Sequence, residues 1–138
     1  MVTGAKKLHI ETWGCQMNVA DSETMIASLK DQYVVIQDVA KADLIILNTC
    51  HIREKAYHKV VSRLGVLKSF KLKKPELIIA VAGCSAQAEG KKLIDNTSGA
   101  VDIVVGPGRL SEISDLVKKV RDNRNEKILA TGFPLKLR

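Results

Sequence analysis

The chain has 138 residues, with 22 Lys and Arg against 15 Asp and Glu and a formal net charge of +7. This length fits one domain, and a composition of 46% hydrophobic and 27% charged residues excludes a disordered or low-complexity chain. Apolar runs such as residues 77–82 are too short to span a bilayer, and no apolar stretch follows the amino terminus as in a signal peptide. We therefore expect a soluble, cytoplasmic protein without membrane contact.

Strand-like apolar segments alternate with helix-like amphipathic segments along the chain, which predicts an α/β fold. The predicted strands are, in chain order, residues 8–13, 33–36, 44–47, 77–82 and 101–105. A first helix is predicted over residues 19–30, with Asn18 as its N-cap. Two later helices are indicated by apolar stripes at helical spacing, namely Ala56, Val60, Leu64 and Leu67, then Leu110, Ile113, Val117 and Val120. A shorter helix ending near residue 94 is predicted between them.

This order of elements predicts a doubly wound, mainly parallel five-stranded sheet with helices on both faces and a flavodoxin-like strand order of 2-1-3-4-5. Residues 1–125 are predicted to form this domain, and residues 126–138 a linker or an edge strand. Doubly wound sheets bind ligands at the carboxyl ends of their strands, so the residues at those ends are the candidates for a functional site.

All three cysteines follow predicted strands closely. Cys15 comes after the first strand, Cys50 after the third and Cys84 after the fourth. Because neighbouring strands lie about 4.8 Å apart, three adjacent strand ends would bring the thiols within about 10 Å of one another. An odd number of cysteines cannot form a complete set of disulfides, so reduced thiols are expected.

The pattern of cysteines leaves several interpretations open. A single cysteine at a strand end is usually a packing residue, but three at equivalent positions favour a three-thiolate site. Structural zinc prefers four ligands, and His51 could complete a Cys₃His site. An iron–sulfur cluster of the [4Fe-4S] type held by three thiolates would keep one iron open for chemistry. A redox or nucleophilic cysteine is less favoured, since the chain has no C-x-x-C pair.

At these residues the chain resembles the amino-terminal domain of the radical S-adenosylmethionine methylthiotransferases. The resemblance extends from about residue 7 to 120 and is carried by the segments Trp13-Gly14-Cys15-Gln16-Met17-Asn18, Asp21-Ser22-Glu23, Asn48-Thr49-Cys50, Ile52-Arg53-Glu54-Lys55-Ala56 and Gly83-Cys84. Among the branches of the family, the segments Gln16-Met17-Asn18 and 52–56 are most similar to the enzymes that modify N6-isopentenyladenosine next to the tRNA anticodon, at C2 of the base. The resemblance implies that Cys15, Cys50 and Cys84 ligate an auxiliary [4Fe-4S] cluster whose open iron carries the inserted sulfur.

The chain also departs from the family pattern. The family's central domain has a C-x-x-x-C-x-x-C motif for a second [4Fe-4S] cluster, which acts with S-adenosylmethionine, and an RNA-binding module follows. Neither is present in this sequence, and all three cysteines are already assigned. We therefore expect a fragment that is inactive alone and reaches the tRNA anticodon stem-loop only through the full-length enzyme.

Five polar residues near the cysteines are predicted to bind substrate: Gln16, Asn18, Asn48, Thr49 and Arg53. Helix capping is the alternative for Asn18 and Thr49, and a solvated first-turn position is the alternative for Arg53. Two basic groups further along the chain could contact a tRNA backbone, although solvated helix ends explain them better: Lys68, Lys71, Lys73 and Lys74, then Lys118, Lys119, Arg121 and Arg124. A function of another class, a non-catalytic flavodoxin-like binding module with structural thiols or zinc, remains the alternative.

Overall fold

The computed structural model describes residues 6–12, 16–49, 54–82, 94–95, 100–123 and 127–130. The described strands are β1 (Lys6–Thr12), β2 (Tyr33–Val35), β3 (Leu44–Asn48), β4 (Ile78–Ala82), β5 (Ile103–Val105) and β6 (Ile128–Ala130). The described α-helices that span several turns are α1 (Gln16–Leu29), α2 (Glu54–Lys73) and α3 (Ile113–Asp122). Short 3₁₀ turns at Val39–Lys41 and Pro107–Glu112 precede β3 and α3. The helix predicted to end near residue 94 lies mostly outside the described residues.

The strands form one sheet in the order β2-β1-β3-β4-β5-β6. All neighbouring strands run parallel, and β1, β3 and β4 are adjacent, as the sequence predicts. All five residues of β3 and all five of β4 are buried, which confirms that their unbroken apolar runs cross the middle of the sheet. The structure is therefore a doubly wound α/β domain.

The predicted number of strands is wrong, because the sheet has six strands and not five. The additional strand lies in residues 126–138, where a linker or an edge strand was predicted, and the edge strand is the alternative that the structure confirms. The sixth strand, β6, pairs in parallel with β5, and the backbone bonds from Gly106 N to Ala130 O (2.7 Å) and from Ile128 N to Asp102 O (2.9 Å) extend this pairing. Three residues are too few to show a strand period in the sequence. Pairing with an existing edge supplies the hydrogen bonds that such a short segment lacks by itself.

Two aliphatic cores lie on opposite faces of the sheet. Met25 and Leu29 of α1 pack in the same cluster as Val117 and Val120 of α3. The other cluster is built around α2 and contains the fully buried Val60, Leu64 and Leu67, so that part of the predicted stripe is confirmed. Residues of β3 alternate between the clusters, because successive side chains of a strand point to opposite faces.

The first helix begins earlier than the sequence indicates. It starts at Gln16, so Asn18 lies inside its first turn and the predicted N-cap is wrong. Gln16 and Met17 both have higher helix propensity than asparagine, which favours a helix that extends back towards β1. The connection between β1 and α1 is therefore no more than three residues long, namely residues 13–15.

Candidate metal centre at the carboxyl edge of the sheet

The carboxyl ends of the central strands are aligned in one row across the sheet. Thr12 pairs with Asn48, Asn48 pairs with Ala82, and Ala82 pairs with Val105. The chain leaves β1 towards α1 on one face and leaves β3 towards α2 on the other. A crevice is expected where consecutive connections diverge in this way, and it lies between β1 and β3.

The three cysteines follow this row at short and similar distances along the chain. Cys15 comes three residues after Thr12, Cys50 two residues after Asn48, and Cys84 two residues after Ala82. The cysteines themselves lie outside the described residues, as does His51. Within the described part, no group of three or more His, Cys, Asp or Glu side chains is arranged to hold a metal ion.

A buried hydrogen-bond network joins β1, α1 and β3 directly beneath the row. The Ser22 hydroxyl lies 2.7 Å from the Thr12 hydroxyl, and Asn48 Nδ2 donates to Ser22 Oγ at 2.8 Å. Thr12 is exposed, whereas Ser22 is 5% exposed and Asn48 is fully buried, so the bond between Ser22 and Asn48 is shielded from water. Polar groups that are buried in this way are costly unless they are paired, and here each satisfies the other.

A second set of bonds joins β3 to β4. The backbone N–H and the hydroxyl of Thr49 both donate to the Ala82 carbonyl, at 2.9 and 3.1 Å. Thr49 is 2% exposed and precedes α2 by five residues, so it is not the N-cap of that helix. Its contacts fix the geometry of the chain just before Cys50.

The other predicted substrate-binding residues are placed less completely. Gln16 and Asn18 belong to the first turn of α1, at the edge where the cysteines follow the strands, and their side chains lie outside the described part. Arg53 lies outside it too. Asn48 and Thr49 are buried and bonded to neighbouring elements, which indicates that they stabilise the strand ends; their predicted contact with substrate stays a prediction.

An ion-pair cluster that the sequence analysis missed connects β1 to α2 on the opposite face. Arg63 Nε donates to Glu11 Oε1 at 3.0 Å, its Nη2 pairs with Glu11 Oε2, and His9 Nε2 lies 3.0 Å from the same carboxylate. Burial by itself raises the pKa of Glu11, but the hydrogen bonds from Arg63 and His9 outweigh it and lower the pKa below its ordinary value of 4.5. The last two residues of β1 are thus held from both faces, Glu11 by α2 and Thr12 by α1.

This cluster predicts a dependence of stability on acid. The lowered pKa of Glu11 means that its contribution is complete above about pH 4.5 and is lost as the pH falls through the lower value of the folded protein. We expect Glu11→Gln to reduce the fall in the free energy of unfolding between about pH 6 and pH 3. Denaturant unfolding at several pH values measures this slope. Glu76→Gln, which removes an exposed charge, is the matched control; equal slopes in the wild-type protein and Glu11→Gln would contradict the prediction.

Three residues of the two basic groups lie at the amino ends of the strands, at the opposite end of the sheet from the row of carboxyl ends. Lys74 pairs with Asp43, just before β3, at 2.7 Å, and Lys71 pairs with the buried Asp102, just before β5. Arg121 donates to the Gln32 side chain, just before β2, at 2.9 Å. In a parallel sheet, residues that precede the strands share one edge, so these cations lie away from the cysteine-bearing edge. These three cations are therefore paired with residues that precede the strands, and are not the solvated helix ends that the sequence analysis favoured.

No helix among the described residues is both long enough and apolar enough to cross a membrane.

The fold and the row of strand ends define a class: a doubly wound α/β domain whose central strands each lead into a cysteine-bearing segment. Comparison with known proteins gives the family. Residues 7–106 match the family described as "Uncharacterized protein family UPF0004". The chain belongs to this family, which forms the amino-terminal domain of the methylthiotransferases.

The similar proteins of known name are tRNA-modifying enzymes. The tRNA-2-methylthio-N(6)-dimethylallyladenosine synthase of Ruegeria pomeroyi is 52% identical over 130 residues, which cover 94% of this chain and 29% of that enzyme. The enzyme of the same name from Agrobacterium fabrum is 46% identical over 136 residues, and covers 95% of this chain and 29% of its own length. That from Shewanella frigidimarina is 46% identical over 133 residues, with 94% and 27% covered. The chain thus spans less than a third of the length of the relatives it matches.

Proposed function

We propose that this chain is the auxiliary-cluster domain of a tRNA methylthiotransferase, in which Cys15, Cys50 and Cys84 bind a [4Fe-4S] cluster. The observation that carries the proposal is the alignment of three adjacent strand ends, each followed within three residues by a cysteine. Two of the three intervals are equal, and the strands are those predicted to be neighbours. Packing alone does not require thiols at three equivalent places.

The donor set fits such a cluster. Thiolates are the ordinary ligands of iron–sulfur clusters, and three of them leave one iron without a protein ligand. When bound, the cluster offers that iron as the place where the sulfur for the substrate is held. The α1 helix begins at Gln16, directly after Cys15, so the partial positive charge of its amino terminus favours thiolate and an anionic cluster.

The chain's own part in the reaction is to hold the cluster and one side of the substrate site. Gln16, Asn18 and Arg53 are proposed to bind the substrate, and so are Asn48 and Thr49, whose side chains are buried. By analogy with the names of the relatives, the proposed substrate is N6-isopentenyladenosine (N6-dimethylallyladenosine) of a tRNA, which receives a methylthio group at C2. Its place in the anticodon stem-loop is what the family resemblance implies.

Catalysis needs parts that this sequence does not contain. Its three cysteines are all assigned to the auxiliary cluster, so a second [4Fe-4S] cluster with S-adenosylmethionine and an RNA-binding module must come from other domains. Residues 1–125, together with the edge strand β6, are proposed as the auxiliary-cluster unit, and the residues after β6 as the connection to the radical domain. By itself the chain is expected to bind the cluster and to leave S-adenosylmethionine uncleaved.

Anaerobic reconstitution with iron and sulfide tests the proposal. We expect about four irons and four sulfides per chain, with an EPR signal after reduction. Uptake of one zinc with no iron would replace the proposal by a Cys₃His site that includes His51. Binding of neither metal by the folded chain, with alkylation of all three thiols, would favour a non-catalytic binding module.

A further inference from the structure

We infer that Ser22 is a positioning residue for the thiol site, because its hydroxyl contacts the last residues of β1 and β3, the strands that Cys15 and Cys50 follow in the sequence. The expected effect on iron binding rests on the proposed function, whereas the hydrogen bonds of Ser22 do not depend on it. Ser22 lies on α1, and its hydroxyl contacts the last residue of each strand, Thr12 at 2.7 Å and Asn48 at 2.8 Å. One buried oxygen thus bridges three elements.

The two hydrogen bonds of Ser22 lie between β1 and β3, where the sheet has its crevice. At the neighbouring strands β1 and β3 the chain continues to opposite faces of the sheet. It passes from β1 to α1 on one face and from β3 to α2 on the other. The β3–β4 junction has its own bonds, since two donors of Thr49 reach the Ala82 carbonyl. Ser22 therefore acts on the distance between Cys15 and Cys50 and leaves that between Cys50 and Cys84 unchanged.

The surroundings favour a positioning role over general packing. Ser22 is 5% exposed on a helix face whose next buried residues, Met25 and Leu29, are apolar. For packing alone, a small apolar side chain would suit this position as well as serine does. The hydroxyl instead accepts a hydrogen bond from the amide of Asn48, which is fully buried at the end of β3.

The experiment measures the two thiol separations independently of any cluster. The metal-free protein is treated without oxygen with dibromobimane, a short reagent that joins two nearby thiols, and the joined peptides are counted by mass spectrometry. We expect the ratio of Cys15–Cys50 to Cys50–Cys84 products to fall about tenfold in Ser22→Ala, the equivalent of about 1.4 kcal/mol. Thr24→Val is the matched control, since it removes an exposed hydroxyl of α1 that bonds only within the helix, to Ala20 O.

A second pair of variants covers the case in which Ser22→Ala fails to fold. Thr12→Ser keeps the hydroxyl beside Ser22 and should keep the ratio, whereas Thr12→Val removes it at nearly the same volume and should lower the ratio. A wild-type ratio in both Ser22→Ala and Thr12→Val would overturn the inference. So would an equal loss of both products together with a lowered Tm, because that result describes a general loosening of the domain.

Iron content measured on the same variants separates this inference from the proposed function. If the wild-type protein binds no iron, the proposed function fails, and the crosslink ratio still tests the role of Ser22. If the wild-type protein binds about four irons, Ser22→Ala should bind iron more slowly and lose it sooner. Unchanged ratio and unchanged iron in that variant would remove the role of Ser22 while the proposed function stands.

Discussion

Replacing any one of Cys15, Cys50 and Cys84 with alanine should abolish the reconstituted cluster, so that iron falls from about four per chain to less than about one. Two thiolates should hold a cluster too weakly to survive gel filtration, and no group of three or more His, Cys, Asp or Glu side chains among the described residues offers another metal site. The measurement is iron and sulfide per chain, with the visible absorption and the EPR spectrum of each variant. All three variants should lose the cluster to the same extent.

The control separates ligation from folding. Ser62→Ala changes an exposed residue of α2 and should retain the full cluster. The metal-free cysteine variants should keep the wild-type circular dichroism spectrum, since a small apolar side chain can replace an unligated thiol. If folded variants with the wild-type circular dichroism spectrum retain about four irons, the three-thiolate site is wrong.

Truncating Leu64 of α2 should cause a large loss of stability. Leu64 is fully buried in the cluster that α2 forms with the sheet, together with Leu67 and Val81. A buried leucine that is replaced by alanine loses its transfer free energy and leaves a cavity, which together cost about 2–5 kcal/mol. Denaturant unfolding of the metal-free protein, with a constant slope against denaturant, measures the difference in the free energy of unfolding.

Leu72 gives a matched control on the same helix, because its side chain is 74% exposed. Leu72→Ala makes the same chemical change at the surface and should alter the free energy of unfolding by no more than about 0.5 kcal/mol. Similar losses in the two variants would mean that α2 does not pack on the sheet through the face that contains Leu64.

The sequence by itself determined most of the architecture. Apolar runs in β3 and β4 predicted strands that are buried on both faces, and the structure confirms this with all five residues of each strand buried. The stripes of α2 and α3 predicted buried faces that include Leu64 and Val117. These predictions succeed because the period of the hydrophobic pattern is set locally, by the geometry of a helix or a strand.

The candidate ligands are also evident from the sequence, since three cysteines that each follow a predicted strand can be recognised from their positions in the chain. The short final strand was harder to predict. Ile128–Ala130 has too few residues to show a period, and it is a strand because β5 offers an unpaired edge. The start of α1 at Gln16 likewise depends on the short connection from β1, not on the asparagine at position 18.

Only the tertiary structure decided which polar residues support the site. The hydroxyl of Thr12, the last residue of β1, contacts the hydroxyl of Ser22 on α1. Ser22 is 10 residues from Thr12, and Asn48 is 26 residues from Ser22. Arg63 reaches Glu11 across 52 residues. Hydrogen bonds between such distant residues have no period in the sequence, because they depend on which faces and strand ends the completed sheet brings together.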